Sequence, residues 1–266
     1  MLFGEHPIVV RGGGDLATGV VYRLWRAGFP VVVTELARPL TIRRTVAVSS
    51  AVSEGEFRVE GLTAVRVDSA AGAVATALSG RVPVLVDSGL PELPDRPFAV
   101  IDARLAKRNI DTSIGDAPLV VGLGPGFSAG VDCHAVVETM RGHRLGRVIL
   151  DGPAAPDTGV PGVVGGESEK RVVRASTSGT LVWRVAIGDA AHAGEVLGEI
   201  GGEAIEAPLS GVVRGLLSEG ETVRGLKIAD IDPRADASAC FEISDKSLAV
   251  GGGVLEAVLA WLGRKA

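Results

Sequence analysis

Short apolar runs bounded by glycines and charged turns fill the first half of the chain and alternate with stretches of helical period. Pro7-Ile8-Val9-Val10 reads as a buried strand. Leu16, Ala17, Val20, Val21, Leu24 and Trp25 then recur at the spacing of one helix face, with Gly28 as the stop. Pro30 to Thr34 is a second buried strand ending on the acid Glu35. Glu56 to Glu60 and Thr63 to Val67, joined at Gly61, predict a hairpin. Asp68 can cap a helix through Leu78, followed by a buried strand Val82 to Val86 with Asp87 at its end. Phe98 to Leu105 and Ala117 to Leu123 supply further strand segments. Strands alternating with helices predict an α/β domain on a mostly parallel, Rossmann-like sheet over residues 1–152.

The pattern then changes. Residues 153–169 are rich in glycine and proline, including Pro153, Pro156 and Pro161, and read as a linker or mobile loop. Over 170–238 a half-repeat follows. Ser178-Gly179-Thr180-Leu181 through Gly188-Asp189 to Gly194–Ile200 returns as Ser210-Gly211-Val212-Val213 through Gly220-Glu221 to Gly225–Ile231. Two similar all-β halves predict a small sandwich with pseudo-twofold symmetry. The tail, 239–266, carries a capped helix from Ser244 to Leu262 with Leu255, Val258, Leu259 and Leu262 on one face.

Composition narrows the function. A formal net charge of -5 over 266 residues argues against nucleic acid as a partner. No run of about eighteen apolar residues and no basic-then-apolar leader is visible, so a soluble cytoplasmic protein without a membrane partner is expected. Cys133 and Cys240 give neither a disulfide framework nor a zinc spacing.

The candidate chemistry begins at Arg11-Gly12-Gly13-Gly14-Asp15-Leu16-Ala17, where Gly12, Gly14 and Ala17 fit G-x-G-x-x-G/A. A tight turn, a close backbone approach to pyrophosphate and a helix N-terminus would together hold an anion, with Glu35 on a ribose. Arg11 and Asp15 depart from a plain dinucleotide loop; Asp15 can instead be a helix cap, and the unit can be scaffold alone. Arg38, Arg43 and Arg44 read as phosphate contacts or as a solvated turn. Asp102 to Asn109 places charged groups just beyond Val100-Ile101, where open α/β sheets build their sites. Gly124 and Gly126 mark a second anion contact or a structural turn.

The densest reactive side chains lie in Asp132 to His143. His134 and Glu138, four residues apart, would share a helical face as an acid–base pair, with Asp132 nearby raising the proton affinity of His134. Asp132 can equally cap a helix and His134 sit as a satisfied buried imidazole. No third ligand is identifiable, so no metal site is expected. Cys133 is a nucleophile, a sulfur acceptor or a packing residue.

The repeat resembles the biotinyl/lipoyl barrel-sandwich fold, including the alanine–proline step at Ala207-Pro208. Carrier domains present a lysine on the hairpin between the halves. Gly201-Gly202-Glu203-Ala204-Ile205 has none, and no lysine occurs between Lys170 and Lys227. The resemblance therefore implies no covalent biotin or lipoate, and a structural or partner-docking module.

Over nearly its whole length the chain resembles the YqeB-type family of selenium-dependent molybdenum hydroxylase system proteins. The resemblance runs through Arg11 to Gly19, Ile42-Arg43-Arg44-Thr45, Ala117 to Gly130, Asp132 with His134 to His143, Gly225 to Ile228 and Asp230 to Arg234. Gly12 to Pro39 also resembles the Rossmann part of XdhC-type factors, which handle molybdenum cofactor for xanthine dehydrogenases. These resemblances imply an accessory protein for hydroxylase maturation. It would bind a molybdenum cofactor or molybdopterin dinucleotide and meet hydroxylase subunits or other maturation factors, as a homo-oligomer. Gly12, Gly14, Arg43 and Arg44 would then hold phosphate, Glu35 a ribose, and Gly124 and Gly126 a second anion; Asp132, His134 and Glu138 would carry any proton transfer. An NAD(P)-dependent oxidoreductase and a non-catalytic assembly scaffold are the alternatives, and the sequence leaves catalyst or chaperone open.

Overall fold

Why the first half folds as it does follows from its apolar runs, each long enough to cross a sheet buried on both faces. In the computed structural model, which describes residues 1–160, 162 and 165–264, these runs become β1 (Ile8–Arg11), β2 (Val31–Glu35), β3 (Glu56–Val59), β4 (Leu62–Val67), β5 (Val82–Val86), β6 (Ala99–Asp102) and β7 (Leu119–Leu123). Short strands follow: β8 (Ser128–Ala129), β9 (Ala135–Val137), β10 (Val148–Ile149) and β11 (Gly152–Pro153). Nine of them form one sheet in the order β10-β9-β7-β6-β1-β2-β5-β4-β3, and β8 pairs separately with β11. All neighbours from β4 across to β9 are parallel, and the β3–β4 hairpin and β10 add antiparallel edges. The hairpin turns at Glu60 and Gly61, both with positive φ.

Strand order reverses beside β1: the chain first builds outward through β2 and later resumes on the other side at β6. Open α/β sheets hold ligands beyond the carboxyl ends of strands at such a switch point. Arg11, the last residue of β1, stands in register with Thr34 on one side and Asp102 on the other.

Among the described residues four α-helices accompany the strands: α1 (Asp15–Ala27), the short α2 (Ala51–Glu54), α3 (Ala70–Leu78) and α4 (Asp245–Gly263). Gly28 ends α1 in the left-handed conformation, as its place after the apolar face predicts. The cap of α3 is Ser69, one residue beyond Asp68, its hydroxyl accepting from Gly72 N–H. Ser244 caps α4.

The tail helix buries a different face from the expected leucine stripe. Ser247, Val250, Gly251, Val254, Ala257 and Val258 are buried, whereas Leu259 is exposed. Glycines explain this: a Cβ on Gly19 of α1 would lie 2.2 Å from the Ser247 carbonyl oxygen, and one on Gly251 would lie 2.3 Å from that of Gly19. Backbone meets backbone there, so the contact face carries little hydrophobic signal. By length and composition alone the stretch Ser238–Gly263, with an 18-residue window of mean hydropathy 1.2, meets the measure of a membrane-crossing helix, a measure that core helices of soluble proteins meet as well.

Contacts divide the chain into two units. One comprises Met1–Pro39, Ala47–Thr158 and Ile243–Ala266; the other comprises Leu40–Val46 and Gly159–Glu242. Of the expected linker, Pro161 and positions 163 and 164 lie outside the described residues.

The second unit contains β12 (Val172–Arg174), β13 (Gly179–Trp183), β14 (Ala190–Ala191), β15 (Val196–Ile200), β16 (Glu203–Glu206), β17 (Gly211–Leu216), β18 (Gly220–Thr222) and β19 (Lys227–Asp232). They form two four-stranded sheets, β12-β19-β17-β14 and β16-β15-β13-β18, antiparallel throughout. The half-repeat is visible as exchange: β14 of the first half pairs with β17 of the second, and β18 of the second pairs with β13 of the first. Leu181, Leu197, Ile200, Val213, Leu216, Ile228 and Ile231, drawn from both sheets, share one core.

Candidate functional site

The first glycine loop is built by its own chain. Gly12 has φ +95°, and a Cβ there would stand 3.2 Å from the backbone of Ala103, so only glycine suits the position. Gly13 N–H donates to Glu35 Oε2 at 2.8 Å, and Leu36 N–H to Oε1 at 2.7 Å, which fixes the carboxylate from the end of β2 beside the loop. The Gly13 carbonyl accepts from Ser49 N–H at 2.9 Å. Thr18 in α1 donates to the Gly14 carbonyl and accepts from Val48 N–H, tying the loop to the segment before α2. Gly14 itself is the N-cap of α1. Asp15 is therefore the first helical residue and not the cap; its carboxylate accepts from Ser247 Oγ at 2.8 Å.

Beside this loop the switch point is packed with charge. Arg11 is 2% exposed and reaches Thr112 Oγ1 through Nη1 at 2.9 Å and Asp111 through Nη2 at 2.8 Å. Arg104 donates to Asp102 through Nη2 at 2.5 Å and to Asp111 Oδ1 at 2.7 Å. Thr112 Oγ1 donates to Asp102 Oδ2 at 2.6 Å. Asp102 is buried whereas Asp111 is 49% exposed. The hydrogen bond from Arg11 holds the Asp111 carboxyl below the usual carboxylate range against the cost of burial, helped by the hydrogen bond from Arg104 and by both charges.

The loop after β6 also bears Leu105 and Lys107 at positive φ. Asn109 N–H donates to the Gly126 carbonyl, and Asn109 Nδ2 donates to Asp132 Oδ1 at 3.1 Å. A Cβ on Gly126 would lie 2.5 Å from Arg108 Cα, and one on Gly124 would lie 2.4 Å from Thr139 Oγ1. Both second-loop glycines thus meet close approaches of the chain itself.

The chain is 48% identical over 258 residues to the uncharacterized protein YqeB of Escherichia coli (strain K12), covering 96% of its own length and 48% of that protein. It is similar to YqeB over that stretch. The chain spans about half the length of the curated relative it matches. No protein-family model and no solved structure matches it. Similarity to YqeB supports the YqeB-type resemblance read from the motifs.

Asp132, His134 and Glu138 do not share a helix. Ala135–Val137 is a strand, buried between β7 and β10, because an apolar three-residue run with two β-branched valines completes the parallel sheet. The three side chains go to separate partners. Asp132 accepts from Asn109 and from Ser128 N–H. Glu138, 2% exposed, accepts from Met140 N–H at 2.7 Å and Ala155 N–H at 2.8 Å, and so ties two loops together. His134 Nδ1 accepts from Val120 N–H at 3.0 Å, and its ring meets Trp261 edge-on at 4.8 Å. Burial lowers the pKa of His134, the reverse of the rise expected from acidic neighbours. An acid–base pair is therefore not assembled here.

Arg43 and Arg44 belong to the second unit. Buried Arg43 donates through Nη2 to the carbonyls of Ala239 and Glu242 at 2.9 and 3.1 Å, and Arg44 Nε donates to that of Leu216 at 2.7 Å. These bonds place both guanidiniums on main-chain oxygens, which replaces the expected phosphate contact with a structural one. Cys133 is fully buried and its thiol is pushed up to about 11 by burial, which disfavours the thiolate at neutral pH.

Asp111 and Thr112 are the functional candidates that pattern did not single out. Their signal was indirect: an arginine closing a buried apolar strand, at Arg11, needs a buried acceptor somewhere else in the chain.

Proposed function

We propose that this chain is a cytoplasmic accessory protein of molybdenum hydroxylase maturation, holding a nucleotide-bearing ligand at the carboxyl edge of its large sheet. The ligand named by the resemblance is a molybdenum cofactor in dinucleotide form. The observation that carries the nucleotide reading is the Glu35 carboxylate, fixed 2.8 Å from Gly13 N–H at the mouth of the first loop. A ribose diol can donate to lone pairs that the two backbone bonds leave open, and a phosphate can meet the first-turn N–H groups of α1. The β1–loop–α1–β2 order supports a Rossmann-like assignment, and the strand exchange in the second unit supports a barrel-sandwich one. Its β15–β16 hairpin has no acceptor amine, which favours partner docking over a carrier role.

The residues fit the nucleotide part of such a ligand. Among the described residues no group of three His, Cys, Asp or Glu is placed to hold a metal ion. Molybdenum would stay on the donors of its own organic cofactor, which supplies the redox chemistry in the hydroxylase that receives it. What this chain's residues do is bind and orient: Glu35 selects the diol, and the glycines keep side chains out of the phosphate's path.

The test is calorimetric titration with molybdopterin dinucleotide and, separately, NAD(H). Gly14 is the informative position, because its φ of -69° suits any residue and the fold should survive substitution. Micromolar binding of the molybdopterin ligand by wild type, lost in Gly14→Val, is the expected result. Binding of NAD(H) alone would convert the reading to an oxidoreductase, and unchanged binding in Gly14→Val would remove the first loop from the site.

A further inference from the structure

The charged network at the switch point has an uneven design. Asp102 is the buried acid, and it is fully engaged: it accepts from Arg104 N–H, from the Arg104 guanidinium and from Thr112 Oγ1. Arg104 therefore has its counter-ion whatever else happens. Arg11 has not. Among the described residues its one carboxylate partner is Asp111, on a loop and half exposed, although Arg11 itself is 2% exposed. Asp111 Oδ1 accepts from Arg104 Nη2 at 2.7 Å and lies 2.8 Å from Arg11 Nη2, which donates to Asp111 Oδ2 at 2.9 Å, so both guanidiniums converge on this one carboxylate. Among the described residues Arg11 Nε, buried, has no hydrogen-bond partner, so this guanidinium has a donor that Asp111 does not use.

We propose that Arg11 and Arg104, held in place by the Thr112 hydroxyl that accepts from both, form an oxyanion subsite for a phosphate or pyrophosphate group, and that the Asp111 carboxylate occupies it as an internal stand-in until a ligand displaces it. Two guanidiniums converging on one carboxylate is the arrangement that binds phosphate through charge-assisted bonds. The position, beyond the carboxyl ends of adjacent β1 and β6, is where open α/β sheets bind ligands. Exchange is isoelectric or better: a dianion entering as Asp111 swings to solvent restores the balance that Arg11 needs and also uses Nε. Asp102 cannot serve as the gate, being buried and held by three donors. This subsite does not rest on the nucleotide reading, which concerns Glu35 and the first glycine loop.

The experiment is thermal melting of the full chain in about 10 mM phosphate or pyrophosphate against chloride of matched ionic strength. Asp111→Asn keeps the shape and removes the competing charge. Phosphate should raise its melting temperature by about 3 °C or more, and that of wild type by less than about 1 °C. Adding Arg104→Gln to Asp111→Asn should abolish the response, and adding Gly14→Val should leave it intact, which separates failure here from failure of the nucleotide reading. Asp111→Ser serves as the second variant if the asparagine form melts too low to measure. An equal response in wild type and in the position-111 variants, or one that survives Arg104→Gln, overturns the proposal.

Discussion

At the end of β6, Asp102 accepts from Arg104 N–H at 3.1 Å and from its Nη2 at 2.5 Å; at the end of β19, Asp232 takes the same two bonds from Arg234 at 3.0 and 2.6 Å. Each clamp stands beside a second, buried arginine: Arg11 in the first unit, Arg214 in the second. The difference lies in where that second arginine finds its charge. Arg214 Nε pairs at 3.6 Å with Asp232 itself, 3% exposed, so both arginines of the second cluster share one buried acid. Arg11 pairs with a different carboxylate on an exposed loop. The same strand-end device is thus a latch where its acid is shared and buried, and an exchangeable site where the balancing acid can leave.

The comparison breaks most easily at the acids. Removing one partner of a buried ion pair strands the other charge and costs about 3 to 5 kcal/mol. Cys133 and Cys240, one buried thiol in each unit, report the opening of each separately. Asp232→Ala should speed thiol labelling of Cys240 by about a hundredfold or more with a much smaller change at Cys133. Asp102→Ala should do the reverse. Equal acceleration of both thiols in either variant would show that the clamps are not local to their units.

Acid sharpens the contrast next. His134 has a lowered pKa because it is partly buried, so the folded state disfavours its proton. Below the ordinary value of 6.5 the unfolded chain takes up the proton first, and stability that is complete above 6.5 is lost as pH falls toward the folded pKa. Protonation also puts a hydrogen on Nδ1, which now accepts from Val120 N–H. Asp111 and Asp232, by contrast, are held below the carboxylate value of 3.8; for Asp232 the bonds and charges of Arg234 and Arg214 outweigh its burial. Their contribution persists above 3.8 and is lost only as pH falls below it. Melting temperature followed from pH 7.5 down to about 5 should fall in wild type and stay flatter in His134→Phe. Equal slopes would remove His134 as the cause.

The smallest effect is expected at the outer arginine of the latch. Arg234 is 50% exposed, and its loss should cost about 1 kcal/mol or less in urea denaturation. Arg104, 17% exposed and joined to two acids, should cost more. Similar losses in the two variants would erase the distinction between latch and site.

Much of the first unit was legible because its signals are local. The β1–loop–α1–β2 run, with Glu35 at its end and Gly28 closing the helix, combines apolar period with residue types that only certain backbones accept. The hairpin at Glu60-Gly61 and the half-repeat were equally readable. What failed were statements about partners. His134 and Glu138 have helical spacing, yet three buried residues between them suffice for a strand once β7 offers an edge. Arg43 and Arg44 look like free cations in sequence, but their acceptors are carbonyls contributed by residues 216, 239 and 242. Asp111 gave no pattern because its meaning depends on two arginines from separate strand ends. The apolar stripe of α4 misled because glycines, which carry no hydrophobic signal, make the contact.

Both units are assembled from pieces distant in the chain, and this bears on how the protein is made. Leu40–Val46 joins a unit otherwise built from Gly159–Glu242, where the Ile42 carbonyl accepts from Leu216 N–H at 2.9 Å. On the ribosome that segment waits through more than a hundred residues of synthesis before its strand partner exists. The first unit waits longer, since α1 cannot cover its glycine face until α4 has emerged. Neither unit can therefore complete in simple N-to-C order, and each must wait for its distant segment, with the slow, non-local search that such contacts impose.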